Sequence, residues 1–332
     1  MHLATDLPAD TVDQILRTIA AQGGPRAERI PGQHLGASVL PAPAAGAAGT
    51  NSAQPARATE GAAQAAGQVE DRGDVRWDLE PYGAIAAAAR GELAPMPGSG
   101  EDVPDLWRDP AGTWVAVGGR AQVLLVASDR LAAHSMPVRL TALTEAWLKG
   151  KVAIAAPTGG ASLAHFAALY EAWGEERMSL WLSQLKANGV QVLADDAAVH
   201  DAVARGAAVV GLLGSDRAAK AKASAAQVEV VYPNQHSIGT FVWPTALSRP
   251  RAAPHPEKAA ALAEKLASRL TEQLLVAREP GFLPLRRDIP VPPGVRSATN
   301  LVVISVPPAR IIAQIARRRD ALAEWTKAAQ RR

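Results

Sequence analysis

Ala207-Ala208-Val209-Val210-Gly211-Leu212-Leu213, followed by Gly214-Ser215-Asp216, is the stretch that decides the fold class. A seven-residue run without a polar side chain reads as a strand covered on both faces, as in a largely parallel α/β sheet. Gly214, Ser215 and Asp216 are turn and cap residues, so a helix is expected over Arg217 to Ala223. Asp216 can serve that helix as its cap or reach a ligand. The same unit recurs upstream: the apolar strand Val152 to Ala155, the loop Pro157-Thr158-Gly159-Gly160-Ala161-Ser162, and a helix face marked by Leu163, Phe166, Ala167 and Tyr170. In such units the N–H groups of helix starts and the ends of parallel strands converge on one crevice. The second loop either closes as a tight cap or offers N–H groups to an anionic or polar ligand. It lacks the lysine of GxxxxGK[ST], and Gly159-Gly160 does not make GxGxxG, so nucleotide-binding loops of those two kinds are excluded.

The chain has 332 residues, 48% apolar and 20% charged, which suits two packed domains better than one core. Lys and Arg number 35 against 32 Asp and Glu. The basic residues are dispersed except for Arg317-Arg318-Arg319 and Arg331-Arg332, so no phosphate-facing patch forms and no nucleic-acid partner is expected. The absence of cysteine rules out disulfides, iron–sulfur clusters and thiolate zinc sites, and is compatible with an oxidising compartment. No run of eighteen apolar residues marks a membrane span. Met1 to Leu7 reads as a strand entering a turn, without a basic leader and apolar signal core. That leaves either a cytoplasmic protein or a chain that is truncated, matured or begun at another codon.

Around the two deciding units the pattern is regular. Met1 to Thr5 reads as a strand, and Val12, Ile15, Leu16 and Ile19 give a helix over residues 9 to 21. Residues 31 to 68 lose all periodicity in Ala, Pro, Gly, Ser and Gln, and are expected to be a mobile insert. Asp74 to Glu80 is a strand running into an acidic turn, and Pro81-Tyr82 opens an alanine-rich helix that stops at Gly91. Trp114 to Val117 and Ala121 to Ala127 flank Gly118-Gly119, a bend or domain crossing. Helices follow at 175 to 188 and 197 to 205, capped by Asp195 or Asp196, with strands at 190 to 193 and 228 to 232. One long helix is expected to present Leu262, Leu266 and Leu270, and a last helix at about 309 to 329 presents Ile311, Ile312, Ile315, Leu322 and Trp325.

The order of these units carries a resemblance. Gly119-Arg120-Ala121-Gln122-Val123-Leu124, Leu143 to Trp147 with Lys149-Gly150-Lys151, Leu185 to Val190, Val231-Tyr232-Pro233-Asn234-Gln235 with Ile238-Gly239-Thr240, and Ala253 to Glu257 resemble successive landmarks of bacterial extracellular solute-binding proteins. The nearest group is the ferric-iron-binding type that serves ABC transporters, over residues 69 to 286. Asp74-Val75 with Trp77 and Glu80 is similar to the family segment that delivers an acidic residue to the cleft. The resemblance implies a bilobal, periplasmic-binding-protein-like fold of type 2. One lobe would comprise residues 1–120 and 230–332, the other residues 121–229, with Gly118 to Ala121 and Tyr232-Pro233 near the hinge. It also implies a non-catalytic, monomeric protein of the periplasm or cell exterior that passes a small solute to a membrane permease.

On that basis the ligand site is expected at Glu80, Thr158, Gly159, Gly160, Ser162, Ser215, Asp216, Arg217, Tyr232 and Gln235. Ferric-binding relatives place a tyrosine pair after the strand that resembles Val209 to Leu213, whereas this chain has Gly214-Ser215-Asp216-Arg217 there and three tyrosines in all. Glu80 and Asp216, with Asp78, are the candidate oxygen ligands for Fe(III), the one metal the resemblance brings. Arg217 suits an anionic or polar organic solute better. Three rivals stand beside transport: a degenerate binding protein of the same fold, a regulatory or structural interaction protein, and an enzyme using His165 or His236 as a base. His255 is a third histidine of that kind, but neither GxSxG nor HExxH accompanies any of them.

Overall fold

The structure is a computed structural model that describes residues 1–32, 73–224, 227–291 and 295–331. Most of the 31 to 68 insert therefore lies outside the described residues. Two sheets organise the chain. The first runs β2 (Glu28–Pro31), β1 (His2–Thr5), β3 (Val75–Asp78), β11 (Ala246–Ser248) and β4 (Trp114–Val115). Its first three strands are parallel, and β11 is antiparallel to both neighbours. Helix α1 (Ala9–Ala21) buries the anticipated stripe Val12, Ile15, Leu16 and Ile19. The strand β2 was not anticipated; Glu28-Arg29-Ile30-Pro31 is half-exposed and takes its extended form from its parallel ladder with β1.

The second sheet is built on β5 (Gly119–Ala127), which belongs to two sets of ladders. Its first three residues pair with β10 (Val242–Pro244) and the first two of them also with β12 (Phe282–Leu283). From Gln122 onward it pairs antiparallel with β8 (Val210–Gly214) and β9 (Val228–Val231). Beyond β8 lie β6 (Val152–Ala155) and β7 (Gln191–Leu193), parallel to it. Every residue of β8 is buried, as its composition requires. The strand starts three residues later than Ala207, because residues 205 to 208 make the turn after the preceding helix. The result is a bilobal α/β fold whose two halves share crossing strands.

Helix α2 (Tyr82–Ala89) follows β3; α3 (Gly160–Trp173) and α4 (Glu175–Ala187) follow β6. Two more helices, α5 (Asp196–Ala204) and α6 (Ser215–Ser224), start immediately beyond β7 and β8. The single helix expected around Leu262 to Leu270 is instead two, α7 (Pro256–Leu266) and α8 (Arg269–Arg278). Ser268 caps the second by accepting from the Thr271 N–H, and the buried Arg286 guanidinium donates to the freed Ala267 carbonyl. Arg286 is held in place by Glu272 and Asp102, both at 2.7 Å.

The C-terminal helix α9 (Pro308–Gln330) packs on α3 and β7. Ile311, Ile315 and Leu322 enter the core of the second half, Trp325 Nε1 donates to the Leu182 carbonyl at 3.1 Å, and Gln330 Nε2 to that of Val192 at 3.1 Å. Residues 308–330 thus sit against the half to which they were not assigned. The physical reason is that α3 and α4 present Phe166, Trp181 and Leu182 as the apolar surface complementary to this helix's stripe. Among the described residues no helix is long and apolar enough to cross a membrane.

Candidate functional site

The crossing strand carries the centre of the site. Arg120 stands on β5 opposite Trp243 of β10 and Phe282 of β12, a position fixed by two antiparallel ladders. Its Nη2 donates to Glu80 Oε1 at 3.2 Å. Its Nη1 lies 3.9 Å from Asp216 Oδ2, an ion-pair distance but not a hydrogen bond. Glu80 comes from the turn between β3 and α2, which Asp6 fixes by accepting the Leu79 N–H at 2.6 Å. Asp216 comes from the first turn of α6. One guanidinium therefore links acidic groups delivered by both halves. The Arg120 and Glu80 side chains are only 13% and 14% exposed, so their attraction is weakly screened.

A third carboxylate completes the cluster. Asp195 is the cap of α5, accepting the Ala198 N–H at 2.8 Å, which leaves Asp196 to turn toward β8. Asp196 Oδ2 accepts the Gly214 N–H at 2.8 Å. A Cβ on Gly214 would lie 2.7 Å from Asp216 Oδ1 and 2.9 Å from Asp196 Oδ2, so only glycine allows the two carboxylates to close over this strand end. Burial raises Asp196 to about 6, with the neighbouring Asp216 charge adding to the rise while the Gly214 N–H and Arg120 oppose it. Gly160 supplies the remaining wall: it has φ +55°, and a Cβ there would meet Glu80 Oε1 at 3.4 Å. Two atoms of the cluster, Arg120 Nε and Asp216 Oδ1, are buried without a hydrogen-bond partner.

Of the residues expected here from sequence, Glu80, Gly160 and Asp216 come together. Thr158 and Gly159 are exposed on the loop before α3. Ser162 is committed to the Ala155 carbonyl at 3.0 Å and joins α3 to β6. Ser215 is buried; its Oγ accepts the Ala121 N–H at 2.9 Å and donates to the Gly281 carbonyl at 2.6 Å, so both hydrogen bonds go to backbone. Gln235 is likewise spent on Val302, whose carbonyl and N–H it engages at 3.0 Å each, and on Thr240. Tyr232 packs half-buried with Arg296 5.8 Å from its ring. Arg217 is exposed and makes no ion pair among the described residues. The arginine that stands between Glu80 and Asp216 is Arg120, which the sequence marked only by its place in the Gly119-to-Leu124 landmark beside the Gly118-Gly119 bend.

The metal reading of Glu80 and Asp216 meets Arg120 standing between them, and Asp78 is paired with Arg76 at 3.4 Å. Among the described residues no group of three or more His, Asp or Glu side chains is arranged to hold a metal ion. Burial raises the phenols of Tyr82, Tyr170 and Tyr232 above their ordinary range, which disfavours phenolates. The candidate bases are elsewhere. His165 is fully buried, stacked on Phe241 at 5.3 Å, and burial pushes it down to about 3. His236 is exposed, and His255 Nδ1 lies 3.0 Å from Asp74 Oδ1 beside β3.

Two α/β halves sharing crossing strands, with charged groups from both meeting at the crossing, define a periplasmic-binding-protein-like architecture of type 2. Residues 91–296, more than half of the chain, match the family model described as bacterial extracellular solute-binding protein, and the chain belongs to that family. Family and fold are those of non-catalytic binding proteins. Iron-bound HitA from Pseudomonas aeruginosa superposes with a TM-score of 0.75 at 18% identity, covering 97% of this chain and 98% of the other. IdiA (FutA) of Trichodesmium, in complex with iron and citrate, gives 0.74 at 18% identity over 99% and 98%. The periplasmic binding protein AfuA from Actinobacillus pleuropneumoniae, with exogenous fructose-6-phosphate bound, gives 0.72 at 18% identity over 100% and 99%.

Proposed function

We propose that this chain is the solute-capturing component of an ABC-type importer, working outside the cytoplasm and handing a small polar organic solute to a membrane permease. The solute carries an acceptor oxygen, as in a carboxylate or phosphate, together with a hydroxyl or amine donor. The observation that carries this reading is the juxtaposition of Arg120 and Asp216: a buried donor, Nε, and a buried acceptor, Oδ1, both lack partners in one cluster. Leaving such groups unpaired costs about 1–3 kcal/mol each, and a ligand offering both an acceptor and a donor removes that cost. A bare cation would satisfy Asp216 but not Arg120. It would also have to displace the guanidinium from between Glu80 and Asp216.

Ferric iron is the second reading, favoured by the ferric-binding proteins among the fold relatives. Three protonated phenols and a guanidinium within the carboxylate cluster weigh against iron bound by protein groups alone. In the proposed working cycle residues 121–229, with α9 docked on them, move as one body against the remainder, and solute binding favours the closed arrangement. Native mass spectrometry with elemental analysis, on protein purified without chelator, tests the assignment. An organic adduct lost in Arg120→Met supports the proposal. Iron near one equivalent that survives Arg120→Met overturns it in favour of the metal.

A further inference from the structure

Asp196 and Asp216 meet over the last residue of β8. The Cβ position of Gly214 lies 2.7 Å from Asp216 Oδ1 and 2.9 Å from Asp196 Oδ2, so the two oxygens flank one small patch of backbone. The charged groups that act on Asp196 are Asp216 and Asp195, both acidic, and Arg120. Arg120 is a shared cation: its Nη2 donates to Glu80 at 3.2 Å, while its Nη1 stands 3.9 Å from Asp216 Oδ2, beyond hydrogen-bond distance. Arg217 is exposed and makes no ion pair among the described residues. This corner of the crevice therefore carries more negative charge than its one guanidinium balances. Asp196, Gly214 and Asp216 all belong to one half, and Arg120 to the strand that crosses out of it, so the imbalance does not depend on the angle between the halves.

A solute group that removes this imbalance must bring positive charge together with hydrogen-bond donors. A hydroxyl supplies one donor and no charge, and an anion adds to the excess. An ammonium supplies three donors and a unit charge. That is enough to serve both Asp196 Oδ2 and Asp216 Oδ1, the latter buried without a partner. A metal ion is a poorer fit, since no group of three or more acidic or histidine side chains is arranged to hold one among the described residues. Arg120 Nε, also buried without a partner, calls instead for an acceptor oxygen. Arg120 Nη1 and Asp216 Oδ2 are only 3.9 Å apart, so the acceptor and the ammonium must stand a few bonds apart in one small molecule.

We propose that Asp196 and Asp216 form an ammonium subsite, and that the solute is a small zwitterion, an ammonium a few bonds from a carboxylate or phosphate that engages Arg120. The proposal rests on the reading of the crevice at Arg120 as the solute site and narrows it. Amino acids and aminoalkyl phosphates become the preferred class, ahead of hydroxy acids and sugar phosphates.

Isothermal titration calorimetry on the full chain, near neutral pH and without chelator, tests the subsite with matched pairs. The probes are the standard amino acids, β-alanine and 2-aminoethyl phosphate, each beside the analogue that carries a hydroxyl in place of the amine. At least one zwitterion should bind about ten- to a hundredfold more tightly than its hydroxy analogue, the worth of a charge-assisted hydrogen bond. Asp216→Asn keeps the shape of the side chain and removes its charge. In that variant the ratio should fall by about tenfold while the hydroxy analogue binds as before, whereas a side chain that only supported the fold would weaken both. A ratio near one in the parent protein, tighter binding of the hydroxy analogue, or a ratio unchanged in Asp216→Asn overturns the subsite. If hydroxy analogues bind equally well and Arg120→Met abolishes that binding, the organic-solute reading stands and only the subsite falls. Failure of every probe overturns the subsite, and the organic-solute reading falls with it if the purified protein carries iron that survives Arg120→Met. Should Asp216→Asn fail to fold, Asp196→Asn removes the other charge and carries the same comparison.

Discussion

Asp196→Asn should stabilise this protein, and increasingly so as the pH rises. Burial and the adjacent Asp216 shift Asp196 from an ordinary 3.8 to about 6 in the folded chain. At about 1.4 kcal/mol per pKa unit, carrying the ionised form above pH 6 costs the folded state about 3 kcal/mol. Between the unfolded and folded pKa values the folded chain binds more protons than the unfolded one. Stability contributed by this site therefore falls as pH rises from about 4 to about 6, then levels off. Asparagine retains an oxygen for the Gly214 N–H but carries no charge to desolvate. The variant should gain about 1 kcal/mol at pH 4.5 and about 3 kcal/mol at pH 7.5. Urea unfolding followed by far-ultraviolet circular dichroism at pH 4.5, 6 and 7.5, on both proteins, measures the difference. A gain independent of pH, or a loss at pH 7.5, would refute the placement of Asp196 against Asp216.

His165 has the opposite sign. Burial lowers it from 6.5 to about 3, so its contribution to stability is intact above pH 6.5 and is lost as pH falls through that window, by about 2 kcal/mol at pH 5. In His165→Leu the fall in melting temperature between pH 7.5 and pH 5 should be smaller than in the parent; parallel falls would contradict the assignment. Ser215→Ala leaves the Ala121 N–H and the Gly281 carbonyl buried without their bridge, and should cost about 1–3 kcal/mol in urea unfolding, whereas a neutral result would mean that water replaces the hydroxyl. For Glu80 and Arg120, a double-mutant cycle with Glu80→Gln and Arg120→Met, read by urea unfolding, should show the double change costing less than the sum of the two single changes, with a coupling of about 1–3 kcal/mol. Additive effects would show that the 3.2 Å pair is not formed in solution.

The sequence by itself determined the elements that short-range pattern controls. Val12, Ile15, Leu16 and Ile19 recur at the helical period, and α1 forms over the residues that spacing marks. The apolar run before Gly214 and the Val152 to Ala155 run became adjacent parallel strands, each leading into a helix. Glu80, Gly160 and Asp216, expected together from the sequence, stand where strands end and helices begin, and the fold brings them close to one another. Side chains whose role depends on a partner far along the chain were decided only by the tertiary structure. Arg120 meets Glu80, 40 residues before it, and Asp216 because β5 pairs with β8 in the register Gln122 to Gly214. No local pattern encodes that register. Ser215 and Gln235 carry the same polar groups as a ligand-binding residue would, and only the positions of Gly281 and Val302 show that backbone uses them up. Asp195 and Asp196 are interchangeable in sequence; the start of α5 takes one as its cap and β8 takes the other. Helix α9 shows the same division, since its stripe was fixed by spacing, whereas its partner, the apolar surface that Phe166, Trp181 and Leu182 present, is set by the tertiary packing.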